Sequence, residues 1–159
     1  MSDARFRDAD PAPLALMARD AEDLAVISAL VQDAVLPVTE IAHDGRRRHL
    51  ALLVNRFRWE DADRARAEHR RFERVRSVLL IGDVLRVQSD GIDRADRDLV
   101  LELLALVWQP GEDGTGRVLI EFAGDGTLAA DVECLNIELR DVTRPYYAPS
   151  GHAPSHPAD

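Results

Sequence analysis

Apolar residues recur along this chain at two different spacings. From Asp20 onward the spacing is helical: Leu24, Ile27, Leu30, Val31, Ala34 and Val35 share one face. Asp20 can cap that helix, and Glu22 and Asp23 put negative charge in its first turn, where the helix dipole favours it. Pro37 lacks a backbone donor and stops the run, so the pattern predicts one main helix over about 21–35. Elsewhere the pattern is mostly that of strands. Leu14–Ala18 reads as a short strand, and Val38–His43 and Arg48–Phe57 flank an Asp44-Gly45 turn, a hairpin signal. In the second arm Leu50, Leu52 and Val54 alternate with Ala51 and Leu53, which predicts burial on both faces. Phe72–Ile81, a Gly82-Asp83 turn and Val84–Ser89 follow, then a polar connection through Asp98. Leu99–Gln109 favours a strand, and Arg117–Ala123 alternates with Val118, Ile120 and Phe122 inward. Leu128–Arg140 reads as one returning strand whose phase slips between Cys134 and Leu135, as a β-bulge would make it. Trp59–Arg71 has no Gly or Pro and leans to a short charged helix.

Strands joined mostly by tight turns pair antiparallel, and a long helix must cover a face or an open end of their sheet. The expected fold class is therefore α+β: a bent antiparallel sheet or open barrel of about seven to eight strands, covered by one main helix at about 21–35. Residues 1–12 read as a flexible lead-in, 13–143 as a single domain, and 144–159, rich in Pro and poor in aliphatic side chains, as a disordered tail.

Composition agrees with a single globular domain. The chain has 159 residues, 46% hydrophobic and 31% charged, enough to bury a proper core. Its one cysteine, Cys134, excludes an internal disulfide. The start, Met1–Arg5, leads into polar sequence without an apolar signal segment. The longest apolar stretch, Leu99–Trp108, is broken by Glu102 and too short to span a bilayer. The expectation is a cytoplasmic protein with no membrane association.

Charge changes the picture. All 20 basic side chains are Arg, and 11 of them lie between residues 45 and 76 against five acids, a local net charge of +6 in a chain of −9. Residues 1–44 carry −6 and residues 83–141 carry −9. Such segregation marks either an anion-binding face or a basic surface that docks on an acidic one. The candidate surface is Arg46, Arg47 and Arg48 at the hairpin tip, Arg56, Arg58 and Trp59 beyond its second arm, and Arg70 and Arg71. Arg pairs bidentately with phosphate, and interleaved aromatic rings stack bases. The competing reading is a solvated face with helical ion pairs. Arg46–Arg48 also stand about 10–30 Å from the far end of a strand of that length, so the arginines need not form one patch. A pI near 5.0 opposes a general nucleic-acid coat.

Other chemistry is thin. His43, Asp44 and His49 bracket the first turn with Glu40 nearby, but match no standard metal spacing. Cys134 alternates onto an apolar face and is expected to be buried and structural. Ser28, Ser77 and Ser89 lie outside any nucleophile elbow, and the acidic loops match no calcium loop. Glu102 interrupts an apolar strand and would be a perturbed acid if buried. No catalytic, cofactor-binding or metal-ligating set emerges.

Several segments resemble a known family. They are Asp20–Ser28 with Val31–Ala34, Leu53–Glu60, Val84–Ile92, Phe122–Gly126 and Val132–Cys134. Together they resemble a mostly alphaproteobacterial family described as domain of unknown function 2948, over roughly residues 14–142. The resemblance implies a bacterial cytosolic protein and brings no catalytic residue with it. The leading expectation is a non-catalytic interaction or regulatory module that binds a protein partner or forms a homodimer, its basic 45–76 region meeting an acidic 83–141 region. An RNA or polyanion binder using the Arg-rich 45–76 region is the alternative, and an enzyme on a small anionic metabolite the second alternative.

Overall fold

The computed structural model describes residues 13–147. In chain order the elements are β1 (Ala15–Ala18), α1 (Ala21–Leu30), β2 (Val35–Pro37), β3 (Ile41–Asp44), β4 (His49–Phe57), α2 (Ala62–Ala67), β5 (Glu73–Ile81), β6 (Val84–Asp90), β7 (Val100–Pro110), β8 (Gly116–Phe122), β9 (Thr127–Val132), β10 (Ile137–Asp141) and β11 (Tyr146–Tyr147). The strands form one antiparallel sheet in the order β1-β10-β5-β4-β2-β7-β8-β9-β6, with β3 added to β4 and β11 to β5. The path does not close into a barrel.

The sheet bends where two strands cross together. β5 pairs with β10, and their continuations β6 and β9 pair with each other, so a two-stranded ribbon runs through the corner. Gly82 and Asp83 make one side of that corner and residues 133–136 the other. Asp83 has φ 55°, and its carboxylate accepts from the Asn136 amide at 3.0 Å and the Cys134 thiol at 3.3 Å. Backbone bonds from Gly82 N to Asn136 O and from Glu133 N to Asp83 O lock the two sides. A Cβ on Gly82 would lie 2.9 Å from the Asn136 amide nitrogen. The register shift between Val84 and Arg86 completes the corner, which is how bulges let strands turn from one sheet to another.

Bending brings two half-sheets over one core. Leu50, Leu52, Val54, Leu79, Ile81, Ile137 and Leu139 face Leu103, Val118, Ile120, Phe122, Leu128, Ala130 and Val132 in a single buried cluster. Alternation on β8 and β4 predicts these inward sets, because side chains point to opposite faces at period two. α1 contributes Leu24 and Ile27 to this core, capped by Asp20, whose carboxylate accepts from Asp23 N at 2.8 Å. A separate small core holds Phe57, Ala62, Ala65 and Val75 beneath α2.

The fold departs from expectation at three places. There are eleven strands among the described residues, against the seven to eight expected. The main helix ends at Leu30 instead of about Val35 and does not cover the sheet; it packs mainly on β1 and β7. Asp33 takes a left-handed φ of 66°, and Asp33 N and Ala34 O then bond to Leu103, pulling Val35–Pro37 into the sheet as β2. Helical spacing survives in Ala34 and Val35, but sheet hydrogen bonds win over it. Third, Leu128–Arg140 is two strands, not one bulged strand: the phase slip at Cys134 is the corner where the chain changes half-sheets. Trp59–Arg71 does contain a short helix, α2, following a single 3-10 turn at Trp59–Asp61. Within the tail expected at 144–159, Tyr146–Tyr147 pair with β5 as β11; the rest of that tail, 148–159, and the lead-in, 1–12, lie outside the described residues.

Candidate functional site

The candidate arginines lie at both ends of β4 and form no single patch. Arg46 and Arg47 stand exposed in the β3–β4 turn, where their backbone amides both donate to the Asp44 carboxylate at 3.1 Å. Arg48 takes φ 58°, and its guanidinium lies 2.8 Å from Glu133. Arg56, Arg58 and Trp59 stand at the other end, about 25–30 Å away at the rise of an extended strand. The structure brings together Arg56, Arg58, Trp59 and Arg70, and leaves the hairpin tip apart.

At that end the cations are consumed internally. Arg56 follows Leu50, Leu52 and Val54 onto the core face of β4 and is fully buried. Its guanidinium donates to Glu60 at 2.8 and 2.9 Å, to Asp141 at 3.0 and 3.2 Å, and through Nε to Ser77 Oγ at 3.0 Å. Ser77 in turn donates to Asp141 at 2.7 Å. Burial opposes the charge on Arg56, but Glu60 and Asp141 outweigh it and hold its pKa above the ordinary value. This set plugs one end of the fold. It has no imidazole, and every donor has an acceptor, so it resembles no nucleophilic triad.

A second cluster lies beside it. Arg58 bonds to Glu73, Arg70 clamps Asp61 bidentately with two 2.8 Å bonds, and Arg70 also reaches Glu68 at 2.8 Å. Burial would raise the Asp61 pKa, but the bonds from Arg70 and the charge of Arg58 prevail and hold it below the usual carboxylate value. Trp59 is committed too: its indole donates to Gln32 O at 3.0 Å and its ring meets Phe57 edge-on at 4.7 Å. Arg71 lies over the Tyr147 ring at 5.2 Å. Arg64 and Arg66 pair with Glu68 and Asp63 along α2.

The remaining candidates fall elsewhere. Glu102 is exposed on β7, not buried. Cys134 is exposed at the corner, not on the apolar face expected of it; its hydrogen bond to the Asp83 carboxylate and then burial push its thiol pKa up, which disfavours the thiolate. Among the described residues no three His, Cys, Asp or Glu side chains converge to hold a metal, His43, Asp44 and His49 included.

One site was not singled out by the sequence. The outer face of the first half-sheet carries Leu53, Val78 and Leu80 half-buried, with Met17, Val142 and Val100 at least half exposed. The sheet splits on this face. Ile41 pairs with Leu52 and Val35 with Asn55, so residues 36–40 stand opposite only Leu53 and Val54 of β4. β2 leaves β4 there to pair with β7, and the gap is a groove of about 280 Å³. Val35, Pro37, Leu53 and Val100 make it apolar, while Asn55, Arg76 and Glu40 supply its polar atoms. Among the described residues the Arg76 side chain makes no hydrogen bond or ion pair; its backbone N donates to Thr143 Oγ1 and its backbone O accepts from Val142 N. The available signal was β5 itself: Val78 and Leu80 are apolar on the face opposite Val75, Leu79 and Ile81, with Arg74 and Arg76 in line with them.

This open antiparallel sheet, with a buried ionic plug and no assembled catalytic set among the described residues, defines a class of mainly-β domain with two short helices. Over residues 14–156 the chain matches the family described as protein of unknown function (DUF2948), and it belongs to that family. No curated protein and no solved structure matches it. Among the described residues no helix is long and apolar enough to cross a membrane.

Proposed function

We propose that this protein is a non-catalytic interaction module that docks a protein partner on the outer face of its first half-sheet. One observation carries the reading: Leu53, Val78, Leu80, Val142 and Met17 form an apolar outer face on strands whose other face already builds the core. Contiguous exposed apolar surface rimmed by charge is characteristic of interaction sites. Glu138 and Arg140 cross this face on β10, between Met17 and the Val78–Leu80 row, and pair with each other, while Arg76 stands in line with Val78 on β5, so a partner meets apolar surface and both signs of charge. The polyanion reading has less support, because Arg56, Arg58 and Arg70 are bound to carboxylates and only Arg46, Arg47 and Arg71 of the candidate set are exposed, Arg71 at the far end of β4 from the other two and over the Tyr147 ring. A homodimer built on basic-to-acidic contact loses ground for the same reason.

The test compares two charge insertions in quantitative capture from bacterial lysate and in light scattering. Leu80→Glu is expected to abolish the partner or the self-association seen with the wild type. Leu104→Glu, on the second half-sheet, is expected to leave it intact. Equal behaviour of the two variants, both folded by circular dichroism, defeats the docking face.

A further inference from the structure

We infer that the groove at the split between β4 and β2 is a ligand site for a small apolar monoanion: a compact branched or aromatic body bearing one carboxylate. This deepens the interaction reading, since the groove opens on the same outer face, and gives that module a small-molecule input.

Three observations define the ligand. The first is the opening itself, which follows from topology: β2 has only three residues, touches β4 at the single pair Val35 with Asn55, and then commits to β7. Leu53 and Val54 are left without a strand partner on that side, and Pro37 on the opposite wall has no backbone donor to offer them. The second is the lining. At about 280 Å³ the groove is at the small end of ligand sites, and its walls are Val35, Pro37, Leu53 and Val100, which favours a body of few carbon atoms without polar substituents. The third is Arg76. Seven of the 11 arginines between residues 45 and 76 form ion pairs with named carboxylates, and Arg76, which lines the groove, has none among the described residues. A guanidinium presents a planar fork that fits a carboxylate bidentately. Asn55, its cross-strand neighbour, is already engaged with Tyr146 and Arg74, so Arg76 supplies the charge recognition.

Glu40 fixes the polarity of binding. It lines the groove beyond Leu53, away from the Arg76–Asn55 row. A carboxylate at the Arg76 end therefore keeps its distance from Glu40, and the apolar body lies between them across Leu53 and Val35. A dianion would bring a second negative charge toward Glu40 and is disfavoured.

Isovalerate and phenylacetate are the probes, each against its uncharged amide, in a backbone-amide NMR titration of the full chain. The acids are expected to shift Leu53, Asn55, Arg76 and Val100 with millimolar dissociation constants, as ligands of roughly eight heavy atoms give. The amides are expected to bind at least about tenfold more weakly, because they lose the charge-assisted pair. Arg76→Gln is expected to remove that preference, and Glu40→Gln to retain or strengthen acid binding. No shift at saturating probe, equal binding of acid and amide, or shifts centred on Arg46 and Arg47 would overturn the assignment. The acid–amide comparison uses the wild-type chain, so it stands even if a variant misfolds. Partner capture in the Leu80→Glu experiment needs no ligand, so the docking face and the ligand site can fail separately.

Discussion

The two ends of β4 carry the same residue type and meet opposite fates. At the hairpin tip, Arg46 and Arg47 project into water, and the single acid close to Arg47, Asp44, is 3.8 Å away and itself exposed. At the other end, Arg56 is fully buried with two carboxylates and a serine around it, and Arg70 clamps Asp61. Charge density along the chain is similar at both ends. The difference is supply of partners: a tip extends away from other elements, whereas the far end of β4 runs beside β5, with Asp141 of β10 and the turn into α2 within reach. A run of arginines is therefore a measure of positive charge present, not of positive charge available to a ligand.

Removing Arg56 should produce the largest effect. Arg56→Leu leaves Glu60 and Asp141 without their cation in a buried setting, and breaking a buried pair from one side costs about 3–5 kcal/mol. Urea denaturation reads this directly. The comparison sharpens with a triple replacement, Arg56→Leu, Glu60→Leu and Asp141→Leu, which removes the whole buried set. It should recover most of that loss, because apolar side chains can substitute for a buried ion network. Failure to recover means that the network also holds β10 in place, to β5 through Ser77 Oγ and to the start of β1 through Leu14 N, which donates to Asp141 at 3.0 Å.

Asp61→Asn should come next, at about 2–3 kcal/mol at neutral pH, since it removes hydrogen bonds to a charged group. Its pH dependence has a definite sign. The folded carboxyl titrates below its ordinary value, so its contribution is complete above the unfolded pKa and is lost as pH falls through the lower folded one. The gap between wild type and Asp61→Asn should be full at neutral pH and narrow below about pH 4. A gap that stays constant to low pH contradicts the pairing with Arg70.

Arg64→Ala, which breaks the exposed i,i+4 pair with Glu68, should cost far less than either of these in urea denaturation and lose even that in high salt. At the tip, Arg46→Ala with Arg47→Ala should change stability by less than about 0.5 kcal/mol in thermal or urea unfolding. A larger loss there would erase the contrast between the two ends.

Much of the local structure was legible in the residues. Asp20 caps α1 as its position and the acids behind it predict, the Asp44-Gly45 turn joins a true hairpin, and the alternation of Val118, Ile120 and Phe122 points inward as read. Each of these depends on residues within a few positions of one another. The misreadings all involve distant partners. Ala34 and Val35 fit a helix by spacing, but hydrogen bonds between Asp33–Ala34 and Leu103 draw the chain into the sheet. The slip at Cys134 has the sequence appearance of a bulge, and only the pairing of β9 with β6 and of β10 with β5 makes it a corner. The groove was illegible because its opening depends on β2 choosing β7 over β4.

By itself, then, the sequence determined the strand-rich character, the first helix and its cap, the hairpin, the alternating core positions and the family. The tertiary structure alone decided the strand order, the end of the helix, and which arginines remain available. The physical reason is range. Capping, turn chemistry and side-chain alternation act between near neighbours, so a linear pattern contains them. An ion pair or a strand ladder needs groups within about 3 Å in space, and Arg56 finds Asp141, 85 positions further along, only after the chain between them has folded.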